Sequence, residues 1–172
     1  MTFFDDFPPT ARLWIHTSDA PLTEAQQTAL HEAMAPFFAS WSTHGRPVRG
    51  ALAIAKQRFV LLAGVVQADD AGISGCGIDA AVQALNEAAA PLDIAWAPAL
   101  HVAYEDASGV HVVPRTALAD RVAAGAITGD TPIFDRSIQT VGALHDGRFA
   151  RAARATWLAQ RYSLAPASTA SA

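Results

Sequence analysis

Apolar residues recur along this chain in two rhythms. Leu30, Met34, Phe37 and Trp41 fall three or four apart, the spacing of one helical face, and Ile78, Val82, Leu85 and Ala89 repeat the pattern. Between these stripes, residues 50–55 and 58–65 carry apolar side chains at successive positions, which predicts strands covered on both faces. Lys56-Gln57 separates the two runs, so they are expected to fold back as a hairpin. Runs at 11–17, 93–104, 109–113 and 131–134 predict further strands, with 93–104 and 109–113 joined across Asp106-Ala107-Ser108-Gly109.

Breakers and caps divide the pattern. Thr23 or Ser18 can cap the first helix, with Glu24 in its first turn. Pro36 falls inside the stripe and predicts a kink or break near Glu32. The chain turns at His44-Gly45-Arg46-Pro47; a second helix follows over about 77–90, ended by Pro91. A short helix from Thr116 to Ala124 stops at Gly125. From Phe149 to Tyr162, Phe149, Ala153 and Trp157 share one side, and Arg148, Arg151 and Arg154 form a ridge, read as a solvated face rather than an anion contact.

The order strand, helix, strand, strand, helix, strand predicts an α+β two-layer sandwich: a ferredoxin-like βαββαβ core with a mostly antiparallel sheet and a C-terminal β/α extension. Residues 10–164 read as a single domain, 1–9 as a flexible lead whose Phe3, Phe4 and Phe7 can dock, and 165–172 as a disordered tail. No internal repeat is visible.

Composition narrows the function classes. Half of the 172 residues are apolar and 16% are charged, enough for a core without disulfides or metal. One cysteine, no basic-then-apolar leader and no apolar run near the roughly 20 residues of a membrane span point to a cytoplasmic protein. The net charge of −4 offers nucleic acid no overall attraction. Lys56 is the only lysine, and no glycine loop precedes it; a phosphate loop of the Gly-x-x-x-x-Gly-Lys type is therefore absent, which excludes a P-loop ATPase. No HExxH, CxxC, GxSxG or GxGxxG occurs, and no cofactor or metal is implied. His101 and His111 share a face only if the 105–110 pairing slips by one residue, and Asp69-Asp70 reads as a solvated loop pair.

The chemistry-bearing residues gather through the hairpin. Its open end joins the segment holding Trp41, His44 and Gly45 to the segment holding Ser74, Gly75, Cys76, Gly77 and Asp79. A cysteine at a helix start sees the positive end of the macrodipole, which favours the thiolate. The flanking glycines leave backbone amides open to an anion or oxyanion. His44 could take the thiol proton, and Asp79 could orient the imidazole or cap the helix. The alternative is equally physical: free cysteine is among the most buried residue types, Gly-x-Gly permits a tight turn, and His44 is a turn residue. Two functions stay open. One is a non-catalytic domain binding a protein or small molecule at the Trp41–His44–Cys76 edge, and the other a thiol-dependent enzyme with Cys76 as nucleophile and His44 as base.

Arg12-Leu13-Trp14-Ile15, Trp41-Ser42-Thr43-His44-Gly45, Arg58-Phe59-Val60-Leu61-Leu62 and Ser74-Gly75-Cys76-Gly77-Ile78-Asp79 resemble the corresponding segments of a family of small uncharacterised bacterial proteins. Gly125-Ala126-Ile127, Asp130-Thr131-Pro132-Ile133-Phe134, Trp157 and Arg161 extend the likeness over about 12–164. Its most specific piece is Ser-Gly-Cys-x-Ile-Asp, with Gly77 here where serine is expected. Members sometimes carry the label transporter ATPase, which the missing phosphate loop contradicts, and the resemblance implies no activity.

Overall fold

The computed structural model describes residues 3–66 and 72–165. In chain order the strands and helices begin with β1 (Arg12–Thr17), α1 (Glu24–Ser40), β2 (Ser42–Thr43), β3 (Arg46–Ala55), β4 (Phe59–Val66) and α2 (Gly75–Ala89). They continue with β5 (His101–Asp106), β6 (Gly109–Pro114), α3 (Leu118–Ala123), β7 (Pro132–Phe134), α4 (Val141–His145), β8 (Ala150–Ala152) and α5 (Leu158–Arg161). The fold is mixed α/β with two antiparallel sheets. Two compact units divide the chain: Met1–Trp96 with Ser137–Asp146, and Ala97–Arg136 with Gly147–Ala172. Asp69-Asp70 and residues 166–172 lie outside the described residues.

In the first unit the strand order is β1-β4-β3-β2. The β3–β4 hairpin runs in register from Val48↔Val66 to Ala55↔Phe59. Lys56 and Gln57 turn it with φ of 53° and 57°, and the Arg58 amide donates to the Ala55 carbonyl at 3.1 Å. Even-numbered side chains (Leu52, Val60, Leu62) join Leu30, Met34, Trp41 and Leu85 in one core. Odd-numbered Leu13, Phe59, Leu61 and Ala63 are buried as well. Both faces are therefore covered, as the consecutive apolar runs require. Each fully buried leucine or phenylalanine contributes about 1.5–3 kcal/mol of transfer free energy, so the hairpin anchors the unit.

Local signals explain most boundaries. Thr23 forms a capping box with Gln26, its hydroxyl accepting from the Gln26 amide at 3.2 Å. Of the kink or split expected near Glu32, the split does not occur, and α1 continues unbroken to Ser40. Pro36 removes one backbone donor on an exposed face, while Leu30 and Met34, fully buried, fix the helix on both sides of Glu32. Burial outweighs the lost bond. The second helix starts at Gly75, and its most buried face is Gly77, Ala81, Leu85 and Ala88/Ala89, rotated from the expected stripe. Near the chain start, Phe4 and Phe7 are buried, and the Arg49 guanidinium lies 4.3 Å over the Phe7 ring while donating to the Asp6 carbonyl at 2.6 Å.

The strand expected within 93–104 runs from His101 to Asp106, and it belongs to the other sheet. The β1 edge instead meets two short pieces. The Asp19 amide donates to Ala95 at 2.8 Å, and the Leu13 amide to Gln139 at 2.9 Å. Pro98 lacks the amide a ladder needs and sits in a turn closed by the His101 amide at 3.0 Å. A ferredoxin-like four-stranded sheet is thus not completed by this segment.

The second unit has the strand order β6-β5-β7-β8 over a core of Tyr104, Leu118, Ile127, Ile133, Ala153 and Leu158. The helical spacing from Phe149 to Tyr162 is misleading. Ala150–Ala152 pairs with β7, a 3-10 turn follows at Ala153–Ala155, and only Leu158–Arg161 is α-helical. Cross-strand pairing, with the Phe134 and Phe149 rings 5.2 Å apart, overrides the alanine and arginine helix propensity. The arginine ridge is accordingly dispersed: Arg154 pairs with Asp130, and Arg151 donates to the Ala155 carbonyl.

Candidate functional site at the start of the second long helix

The edge where β2 meets α2 is organised around Trp41. Its indole lies over Gly50 and Gly64, which face each other across the β3–β4 ladder. A Cβ added at Gly50 would come 2.7 Å from the Trp41 ring, and one added at Gly64 would come 2.6 Å from it. Only glycine at both places leaves room for the ring. The indole N–H donates to the Gly77 carbonyl at 3.0 Å, tying the end of α1 to the first turn of α2. Beside it the Thr43 and Ser74 hydroxyls share a 2.7 Å hydrogen bond, and the Ser74 amide donates to Thr43 Oγ1 at 3.0 Å. Ser74 is the N-cap of α2; its Oγ accepts from the Gly77 amide at 3.3 Å. The helix is thus capped by Ser74, and not by Asp79.

His44 and Gly45 form the two-residue loop between β2 and β3, with φ of 49° and 74° and Thr43 opposite Arg46. Left-handed φ at both positions is the requirement of a type I′ hairpin, which explains Gly45. The His44 side chain stands exposed on this loop. Gly75, Cys76 and Asp79 are exposed on the neighbouring turn of α2. Trp41, Ser74 and Gly77 are therefore drawn into one bonded cluster, joined by Thr43, which sequence reading did not single out. Among the described residues no hydrogen bond links His44 to Cys76 or Asp79. Trp41, Thr43 and Ser74 are engaged in capping and in cross-links; the thiol and the imidazole lie outside that network.

The remaining titratable groups divide along the two units. In the first, the His16 ring lies 5.4 Å from the Trp96 ring, and burial lowers its pKa. Arg58 is buried beside Asp19, with its Nε lacking a hydrogen-bond partner among the described residues. His145 Nε2 donates to the Phe3 carbonyl at 2.8 Å. In the second, Glu105 pairs with Val110, which puts His101 and His111 on opposite faces of the sheet. Among the described residues no three histidine, cysteine or acid side chains gather closely enough to hold a metal.

The β5–β6 turn holds a constellation that sequence reading missed. Ser108 Oγ donates to Asp106 Oδ1 at 2.6 Å, and His111 Nε2 lies 2.9 Å from both that oxygen and Ser108 Oγ. The His111 ring stacks on buried Tyr104 at 4.9 Å. Serine, histidine and aspartate invite comparison with a hydrolase triad, but the wiring is different. A triad uses opposite ring nitrogens, one to orient and one to take the proton. Here a single nitrogen faces both partners, so no proton can pass through the ring. The cluster braces a hairpin turn. It also holds the Asp106 carboxyl at about 2, chiefly through the Ser108 hydroxyl and then His111.

No family model, no curated protein and no solved structure matches the chain. Among the described residues no helix is long and apolar enough to cross a membrane.

Proposed function

We propose that the first unit is a non-catalytic cytoplasmic binding domain whose contact rim is the His44-Gly45 loop with the exposed start of α2. The observation that carries this reading is the division of labour at the rim. Trp41, Thr43, Ser74 and Gly77 are tied together as structure, while His44, Cys76 and Asp79 stand exposed without a hydrogen bond joining them. A nucleophile needs its base within reach and the base oriented by a third group. A protein or small-molecule partner fits the rim better than nucleic acid, given the net charge of −4. The β1-β4-β3 order with α1 as crossover supports reading this unit as a split β-α-β of ferredoxin-like type. The Ser-Gly-Cys-x-Ile-Asp resemblance agrees with a structural motif, since its serine caps α2 and Gly77 receives the Trp41 bond.

Alkylation of the full-length chain by iodoacetamide tests the proposal. Cys76 is expected to react at a rate within about threefold of a free cysteine at the same pH. The rate and its pH profile are expected to be unchanged in His44→Ala and Asp79→Asn. A much faster rate that falls to the free-thiol level in His44→Ala would instead establish Cys76 and His44 as a nucleophile and its base.

A further inference from the structure

Among the described residues two large apolar side chains are exposed, Leu100 at 78% and Trp157, more than a third of it in water, at 38%. Although 57 positions apart, they line the same open depression of about 370 Å3, together with Ala99, His101, Val102 and Arg115. Scattered single exposed leucines are ordinary on protein surfaces; two that converge on one hollow are not.

The backbone that carries each is hydrogen-bonded in place. Arg136 Nη2 donates to the Ala99 and His101 carbonyls, each at 2.7 Å, and so clamps the backbone on either side of Leu100. Trp157 lies between Ala153 and Leu158, both fully buried, and the Thr156 hydroxyl donates to the Ala153 carbonyl at 2.8 Å. The Arg115 guanidinium stacks over the Trp157 ring at 4.4 Å. A fixed backbone spares the ordering cost of a loop when a partner covers it, which favours binding. Tryptophan and arginine are also the residues most enriched where binding energy concentrates.

Charge selects the occupant. Arg115 has no carboxylate partner among the described residues, and the lining of the depression contains no acid. The second unit carries seven arginines against five acids, in a chain that is acidic overall. A two-fold contact between copies through this hollow would bring two Arg115 side chains together with nothing to neutralise them, so self-pairing is disfavoured. We propose that the Leu100–Trp157 depression docks a segment of a partner protein that presents an apolar side chain beside a carboxylate. The apolar group covers Leu100 and Trp157, and the carboxylate pairs with Arg115.

The test uses 15N-labelled full-length protein and two synthetic peptides, acetyl-Ser-Leu-Phe-Asp-Ser-amide and its Asn counterpart. The Trp157 indole N–H resonance, assigned with Trp157→Phe, reports occupancy. The Asp peptide is expected to shift it saturably and the Asn peptide to bind about fivefold more weakly, the worth of one partly exposed charge pair. Arg115→Ala should remove the difference between the peptides, and Leu100→Ser should weaken both. Neither site is buried, and amide spectra outside the patch should stay unchanged. Equal affinity for the two peptides overturns the proposal, as does a Trp157 signal unmoved at millimolar peptide. So does a dimer in light scattering that dissociates in Leu100→Ser, which would make the surface a self-interface.

Discussion

Trp41 and Trp157 put the same side chain to opposite uses. Trp41 is 4% exposed, lies over two glycines and gives its indole N–H to a backbone carbonyl of another element. Trp157 keeps more than a third of its surface in water, with an arginine on one face and a hollow beside it. The first closes a fold, and the second is left over by one. The difference teaches that rare residues and short motifs, such as the lone cysteine beside Trp41, mark neither state by themselves. What separates them is whether the polar groups around the ring are already satisfied.

Truncation should expose the contrast most strongly. Trp41→Ala removes a buried ring and the indole bond to the Gly77 carbonyl, and should cost about 3–5 kcal/mol in urea unfolding. Trp157→Ala should cost clearly less, about 1–2 kcal/mol, because more than a third of the side chain is already in water. Comparable losses at the two sites would erase the distinction.

Gly64→Ala probes the same packing from below. Its new methyl would lie 2.6 Å from the Trp41 ring, and overpacking of this kind costs about 1–3 kcal/mol. In a Trp41→Ala background the methyl enters the space the ring vacates, so the penalty should shrink or reverse. Unfolding of the four proteins in the cycle measures that coupling. Strict additivity would mean that the glycine pair is not there for the ring. Ser74→Ala comes next. It removes the cap of α2 and the hydroxyl bond to Thr43, while the Ser74 amide bond to Thr43 stays, for about 1 kcal/mol. Its effect should be local, read as faster amide exchange over the first turn of α2 with β5 and β6 unchanged.

The elements of the first unit were legible because burial writes itself into the sequence as period. Leu30 and Met34 mark α1, consecutive apolar residues mark β3 and β4, and Lys56-Gln57 marks the turn between them. Thr43 was not legible, since nothing local distinguishes a threonine that meets Ser74, 31 positions on, from one that faces water. Gly50 and Gly64 carry the same lesson, because their meaning lies in a ring contributed by a different element. In the second unit the periodic spacing of Phe149, Ala153 and Trp157 misled, as Ala150–Ala152 pairs with β7 and leaves only Leu158–Arg161 to the helix. The consequence for function is direct: Trp157, placed by spacing on one side with Phe149 and Ala153, parts from those two buried residues and lines the depression.

The smallest expected effect concerns the second unit's own bonded cluster, the counterpart of the Thr43–Ser74 link. Asp106 titrates at about 2, below its ordinary 3.8, because Ser108 and His111 hydrogen-bond its charged form. A depressed carboxyl stabilises the folded state above its unfolded pKa, and that contribution disappears as pH falls through the folded value. The loss therefore belongs to the window from about pH 4 to pH 2. It should be slight in overall unfolding, because the carboxylate sits at the surface where water screens it. The carboxyl 13C shift of Asp106 follows the titration directly. Ser108→Ala should raise the midpoint more than His111→Ala does, since the hydroxyl is the larger cause. A midpoint unmoved by either change would mean that the turn does not hold its carboxylate through these bonds. The cluster would then be unlike the Thr43–Ser74 link, and the contrast between the units would widen from their tryptophans to their polar networks.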